Sequence, residues 1–162
     1  MNSNRSAKKR AAILEAATSV FKEEGYESAS MDRIAEVAQV SKRTVYNHFG
    51  SKEGLFGAVV AQLAAAFHAL EWPAWDAERP LESQLAEFAK TKIELATQPT
   101  LLDLSRVVIS VLIRKPEMAK AAAEQIMQGD DALVTWLAAA HDAGHLKVED
   151  PEGAAEIFWS MV

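Results

Sequence analysis

The chain contains no cysteine, which excludes disulfides, thiol catalysis and zinc–thiolate sites. Glycine and proline are scarce, seven and five in 162 residues, so collagen-like and low-complexity classes are excluded as well. No apolar run reaches the length of a membrane span; polar residues interrupt the stretches around Leu63 and Leu112. The N-terminus lacks the apolar core of a secretion signal, so a cytoplasmic location without a membrane partner is expected. Strand alternation is missing, and no Asn-Gly or Asp-Gly hairpin turn occurs. What remains is an all-α chain with a globular composition, 49% hydrophobic and 25% charged.

Charge is unevenly spread along it. Residues 1–55 hold nine of the 17 Lys/Arg and seven of the 23 Asp/Glu, leaving eight bases against 16 acids in the remainder. A mildly basic head on an acidic body suits a chain whose head meets a polyanion.

Apolar residues Ile13, Ala16, Ala17, Val20 and Phe21 recur at helical spacing and predict a first helix from about Ser6 to Glu24, with Gly25 as its stop. Its start carries Arg5, Lys8, Lys9 and Arg10, either a solvated end or an arm that reaches phosphate. Ser30, Ser41 and Ser51 are each placed to cap a short helix. The helices expected are Met31–Ala38 with Ile34, Val37 and Ala38 inward, Lys42–His48 with Val45 and Phe49 inward, and Lys52–Leu70. Only Gln39 and Val40 separate the second from the third, which forces a sharp angle: a helix-turn-helix unit.

The third helix is too short to stand alone. Its outward arc carries groups suited to a DNA groove. Arg43 can donate a forked pair to guanine, Thr44 can meet a base edge or a thymine methyl, and Asn47 can pair with adenine. Lys42, Tyr46 and His48 suit phosphate oxygens. Lys52 and Ser30 stand at helix N-termini, where free N–H groups attract phosphate. The plainer reading of the same stretch is a solvated helix face.

The stretch from Ile13 to Phe56, and "VSKRTVYNHFGSKEGLF" within it above all, resembles the DNA-binding domain of the tetracycline repressor (TetR) family of bacterial regulators. The resemblance covers about a third of the chain. It implies an N-terminal three-helix DNA-binding domain, residues 1–51, on a helical effector-binding and dimerisation domain, residues 52–162, with helix four joining them. It places Ser30, Lys42, Arg43, Thr44, Tyr46, Asn47, His48 and Lys52 at DNA-facing positions. "LSRVVISVLIRKPEMA" and "AGHLKVEDPEGAAEIFWSMV" resemble helix junctions of the family's body. Family chains usually run on into a further dimerisation helix, so the last helix is expected to be missing or incomplete here. The implied function is a ligand-responsive repressor that binds a near-palindromic operator as a homodimer.

In the body, "EWPAWDAERP" is the break before helix five, which runs to about Gln98. Helix six, Leu101 to about Arg114, is apolar almost all round and is expected to be buried on several sides. Pro116 opens a seventh helix expected to run to about Gly144, with Gly129 as a kink or close approach, and Pro151 opens an eighth. The apolar residues of the last helix need a partner. A ligand pocket is expected from Phe88, Lys92, Arg106, Ile109, Ser110, Ile113 and Trp136, with the Trp72/Trp75 pair nearby. Lys92 either meets an anionic ligand or stretches along apolar surface to water. No metal, cofactor or catalytic set is expected: His141 and His145 straddle a helix end at Gly144, and no nucleophile turn or phosphate-cradling glycine loop is present. Two rivals stay open, a DNA-binding regulator without an effector, and an all-helical enzyme or binding module with a vestigial head.

Overall fold

The structure is a computed structural model that describes residues 2–126 and 131–162, with side chains of the first helix from Asn4 onward. Among the described residues the regular elements are nine helices: α1 (Asn2–Glu24), α2 (Met31–Val37), α3 (Lys42–Phe49), α4 (Lys52–His68), α5 (Leu81–Thr97), α6 (Pro99–Arg114), α7 (Pro116–Ile126), α8 (Ala132–Asp142) and α9 (Pro151–Met161). They pack as two units. Met1–His68 and Pro99–Met127 form one; Ala69–Gln98 and Gln128–Val162 form the other.

In the first unit, Ile13, Ala17, Val20 and Phe21 of α1 are buried with Ile34 of α2, Val45 of α3, and Leu55, Phe56, Val59, Val60 and Leu63 of α4. Each short helix begins on a serine. The Ser30 hydroxyl accepts from the Arg33 N–H at 3.1 Å, that of Ser41 from Thr44 at 3.2 Å, and that of Ser51 from Gly54 at 3.1 Å. These caps satisfy donors that no preceding turn can serve.

The turn between α2 and α3 depends on Gln39, whose φ of 54° lies in the left-handed region without the help of glycine. Its N–H donates to Glu36 O at 3.0 Å, and that of Val40 to Ala35 O at 3.0 Å, so the backbone bonds offset the strain. Val37, expected inward, is instead 40% exposed: the buried face of α2 is Met31, Ile34 and Ala35, and Val37 lies at its edge.

The face of α6 carrying Leu101, Leu104, Val107, Val108 and Val111 is buried, but Ile109 and Ile113 are 55% and 75% exposed within this structure. Burial on several sides was expected; the described structure buries one face. Asp103, at one edge of the buried face, ties α6 to α1 through an ion pair with Lys22 at 2.7 Å.

The second unit is built on aromatic packing. Phe88 of α5 stacks on Trp72 with ring centroids 5.5 Å apart and meets Trp136 of α8 edge-on at 5.9 Å. Gln84 is fully buried among them and uses all its bonding capacity. Its amide nitrogen donates to Asp76 O and Arg79 O, while its oxygen accepts from the Asp76 N–H and the Trp136 indole. It thus pins the chain that leads into α5.

The single helix expected from Pro116 to about Gly144 is two helices. Asp131 has extended backbone and caps α8, its carboxylate accepting from the Leu133 N–H at 2.9 Å and from the Trp159 indole at 3.0 Å. An N-cap starts a helix, so α8 is new at this point. Gly129 lies outside the described residues.

Candidate nucleic-acid interface

The side of α3 opposite the core is fixed by one residue. Val45 is fully buried, so Lys42, Arg43, Tyr46 and Asn47 project outward and are exposed. Thr44 and His48 are half-buried at the edges. The Thr44 hydroxyl lies 2.8 Å from that of Ser41, which orients it along the start of the helix. Arg43 and Asn47 stand four residues apart, one helical turn, and share a face. The arrangement offers a forked donor, an amide and hydroxyls on a supported rod, which is what reading base edges requires.

Two cations expected at phosphates are engaged elsewhere. The Lys42 ammonium pairs with Asp32 of α2 at 2.7 Å, and this hydrogen bond raises its pKa above the ordinary lysine range. Both partners are exposed, so the pair is weak and a phosphate can displace it.

Lys52 requires a correction. Its ammonium donates to Tyr26 O at 2.8 Å, Ala29 O at 3.0 Å and Glu27 O at 3.1 Å, which uses all three of its protons. It clamps the loop between α1 and α2. The signal was present in the sequence: a cation in the first turn of a helix opposes the dipole and needs acceptors of its own. Ser30, also expected to meet phosphate, spends its lone pair on the α2 cap and keeps its proton as a donor.

Beneath this surface lies Tyr26. The Lys52 ammonium lies 4.7 Å and the Lys115 ammonium 5.3 Å from the centre of its ring. Lys115, just after α6, also pairs with Glu27 at 3.0 Å. Among the described residues the buried Tyr26 hydroxyl has no partner in good hydrogen-bond geometry, and the Glu53 carboxylate is the acceptor nearest to serving it. Burial, with the carboxylates of Glu53 and Glu27 nearby, pushes this phenol up to about 12. Sequence reasoning missed Asp32 and Tyr26, because neither contact follows from helical periodicity.

The seven residues expected to form a pocket are divided between the two units. On α6, Arg106, Ile109, Ser110 and Ile113 lie at helical spacing on one exposed face. Ser110 also lines a small cavity of about 200 Å³ with Tyr26, Arg114 and Lys115. In the other unit, Phe88 and Trp136 are core residues packed on aromatic neighbours, at 0% and 2% exposure. Lys92 donates to Trp159 O at 2.6 Å and lies over the Trp159 ring, so its charge is held by α9. These three are corrected from ligand-facing to structural positions: the aromatic spacing that suggested a pocket is the spacing of a filled core. A groove of about 710 Å³ between α1, α4 and α6 is lined by none of the seven; Leu14, Thr18, Gln62, Thr100 and Leu104 are among its walls.

A three-helix unit with a tight turn and a polar, cation-bearing third helix defines a helix-turn-helix DNA-binding protein. Residues 13–59 match the family model described as bacterial regulatory proteins, tetR family, and residues 83–162 match the C-terminal domain of AefR-like transcriptional repressors. A solved TetR family transcriptional regulator from Pseudomonas syringae is 38% identical, with a TM-score of 0.74 over 92% of this chain and 74% of that one. The flavonoid-responsive regulator FrrA is 27% identical, with a TM-score of 0.73 over 93% of this chain and 76% of its own. The transcriptional repressor AcnR of Corynebacterium efficiens is 28% identical over 153 residues, 94% of this chain and 77% of its own length. The chain belongs to the TetR family of transcriptional regulators. It is a DNA-binding transcriptional regulator, and its named relatives are transcriptional regulators and repressors. Among the described residues, no single helix is long and apolar enough to cross a membrane.

Proposed function

We propose that this regulator acts as a homodimer whose two α3 helices enter successive major grooves of a near-palindromic operator, and that a small molecule bound by the body releases it. In this reading residues 1–51 bind DNA, and residues 52–162 receive the effector and dimerise. Arg43 and Asn47 read bases, Thr44 and Tyr46 adjust the fit, and Lys42, His48 and the Ser30 hydroxyl hold the backbone. The observation that carries the reading is the burial of Val45, which leaves Arg43 and Asn47 on the free side of a capped helix.

Dimerisation is supported by the family and by the apolar side chains that α9 leaves exposed, Ile157 at 63% and Met161 at 73%. A dimer requires half-sites about 34–36 Å apart, or a multiple of that spacing. The effector acts only by as much as its affinity differs between the DNA-fitting and misfitting conformations. The open face of α6, with Ile109 and Ile113 beside Arg106 and Ser110, is the part of the expected pocket that remains free to meet it.

The test is selection of bound fragments from a genomic library, followed by footprinting. An inverted repeat protected at two half-sites is the expected result; protection of one unrepeated site contradicts the dimer. Thermal shift against a metabolite panel addresses the effector, since a ligand of the native state raises stability by mass action. The same relation separates a regulator without an effector, in which no compound shifts the melt or weakens DNA binding.

A further inference from the structure

From the start of α1, we infer that its first two turns form a second DNA-contacting surface, in which Arg5, Lys8 and Lys9 bind backbone phosphates beside the site read by α3. The inference rests on the DNA-binding reading above and extends its footprint.

Three observations carry it. First, α1 begins long before the core does. Asn4 to Ala11 are all exposed, and burial starts at Ile13. These two helical turns therefore bury little against the core, Arg10 resting on Phe49, although so short a segment has little helical stability of its own.

Second, the charges on these turns are wrong for the helix. The first turn of α1 holds no acid, and the first carboxylate in the chain is Glu15. Arg5 lies in the region where the helix dipole repels cations. Arg5 with Lys8, and Arg5 with Lys9, are like-charged neighbours at three and four residues, which weakens the helix further. Among the described residues none of the three has a carboxylate within ion-pair distance. Local rules broken without compensation in the free protein mark a functional position, and the missing partner is an anion.

Third, the projection is held next to α3. The Arg10 guanidinium lies over the Phe49 ring, 5.3 Å from its centroid, and Phe49 is the last residue of α3. The contact anchors α1 to the end of α3 one residue after Lys9. A polyanion with charges spaced along a groove matches Arg5, Lys8 and Lys9 better than a single small anion does.

The experiment measures binding to two duplexes, the selected operator and a random sequence, over a range of salt concentrations. The proteins are the wild type, the Arg5→Gln/Lys8→Gln/Lys9→Gln triple variant, and a charge-retaining variant carrying Arg5→Lys, Lys8→Arg and Lys9→Arg. The triple variant is expected to lower affinity equally on both duplexes and to reduce the log–log salt slope by roughly 5, close to one for each of three phosphate contacts in each of two protomers. The charge-retaining variant keeps the wild-type slope. In the free protein the triple variant melts no lower than wild type, since it removes repulsion. An unchanged slope in the triple variant overturns the inference, as does a charge-retaining variant that loses the slope too. If Arg43→Ala then still reduces operator preference, the reading by α3 survives and only the second surface falls. Absence of any wild-type binding to duplex DNA sinks both.

Discussion

The Lys52 ammonium lies 4.7 Å from the centre of the Tyr26 ring and donates to the Tyr26 carbonyl at 2.8 Å, so the first residue of α4 holds both the face and the backbone of the loop that precedes α2. The start of α4 is thereby bonded to the loop between α1 and α2.

Lys52→Met removes three charge-assisted bonds and leaves the partly buried Tyr26 and Ala29 carbonyls without that donor. The expected loss is about 2–3 kcal/mol in stability. The salt slope of DNA binding, taken at a temperature where the variant is folded, stays that of the wild type. Denaturant melts and salt titrations check this; a slope reduced by about two, one per protomer, would return Lys52 to the phosphate backbone.

Gly54 and Gly57 sit one turn apart on α4 and respond oppositely to alanine. A Cβ at Gly54 would lie 2.2 Å from the Phe49 carbonyl oxygen, so α3 and α4 must move apart. Gly54→Ala is expected to cost about 1–3 kcal/mol and to weaken operator binding by tilting α3. At Gly57 an added Cβ meets nothing within 4 Å, and alanine gains about 0.5–1 kcal/mol from helix propensity. Equal melting temperatures for the two variants would contradict the close approach.

The buried Tyr26 hydroxyl gives a signature in alkali. Its folded pKa of about 12 exceeds the unfolded value near 10, so between those values the unfolded chain has released a proton that the native one still holds. The stability this contributes is fully present below pH about 10 and is lost as pH rises through the folded value. Tyr26→Phe keeps the ring beside its two ammonium groups and removes the hydroxyl. At neutral pH it is expected to be as stable as the wild type or slightly more so. Melts from neutral pH to above 10 should show the variant losing less stability than the wild type; parallel curves would place the hydroxyl in water.

Arg43→Ala tests base reading. The expected cost is about 1–3 kcal/mol on the operator, with specificity relaxed at one base step and little change on random DNA. Equal losses on both would make Arg43 a phosphate contact. Competition binding with single-base operator variants distinguishes the two.

Much of the head was legible in the residues because its rules are local. Serine caps at 30, 41 and 51, apolar spacing through Val20 and Phe21, and a two-residue turn specify where helices start and which way Val45 and Arg43 face. Val37 escaped this logic, since packing centres the buried face of α2 on Met31, Ile34 and Ala35 and leaves Val37 at its edge. The second unit was less legible. Phe88, Trp136 and Lys92 carry the same periodicity whether they line a cavity or fill a core, and only their neighbours Gln84, Trp72 and Trp159 show that the space is filled. The start of α8 is itself a local cap, Asp131 accepting from the Leu133 N–H, while the bond from the Trp159 indole to the same carboxylate, 28 residues away, could not be read along the chain.

The sequence by itself determined the helical elements, the helix-turn-helix and the polar face of α3, because capping, periodicity and turn length act over three or four residues. Tertiary structure alone decided which cations are free. Lys52 is spent on the carbonyls of a loop 23–26 residues earlier, Lys92 on Trp159, and Lys42 leans on Asp32, whereas Arg43 keeps its outward face. A charge is used by whatever acceptor lies within about 3 Å, and that distance is set by packing between helices, not by position along the chain.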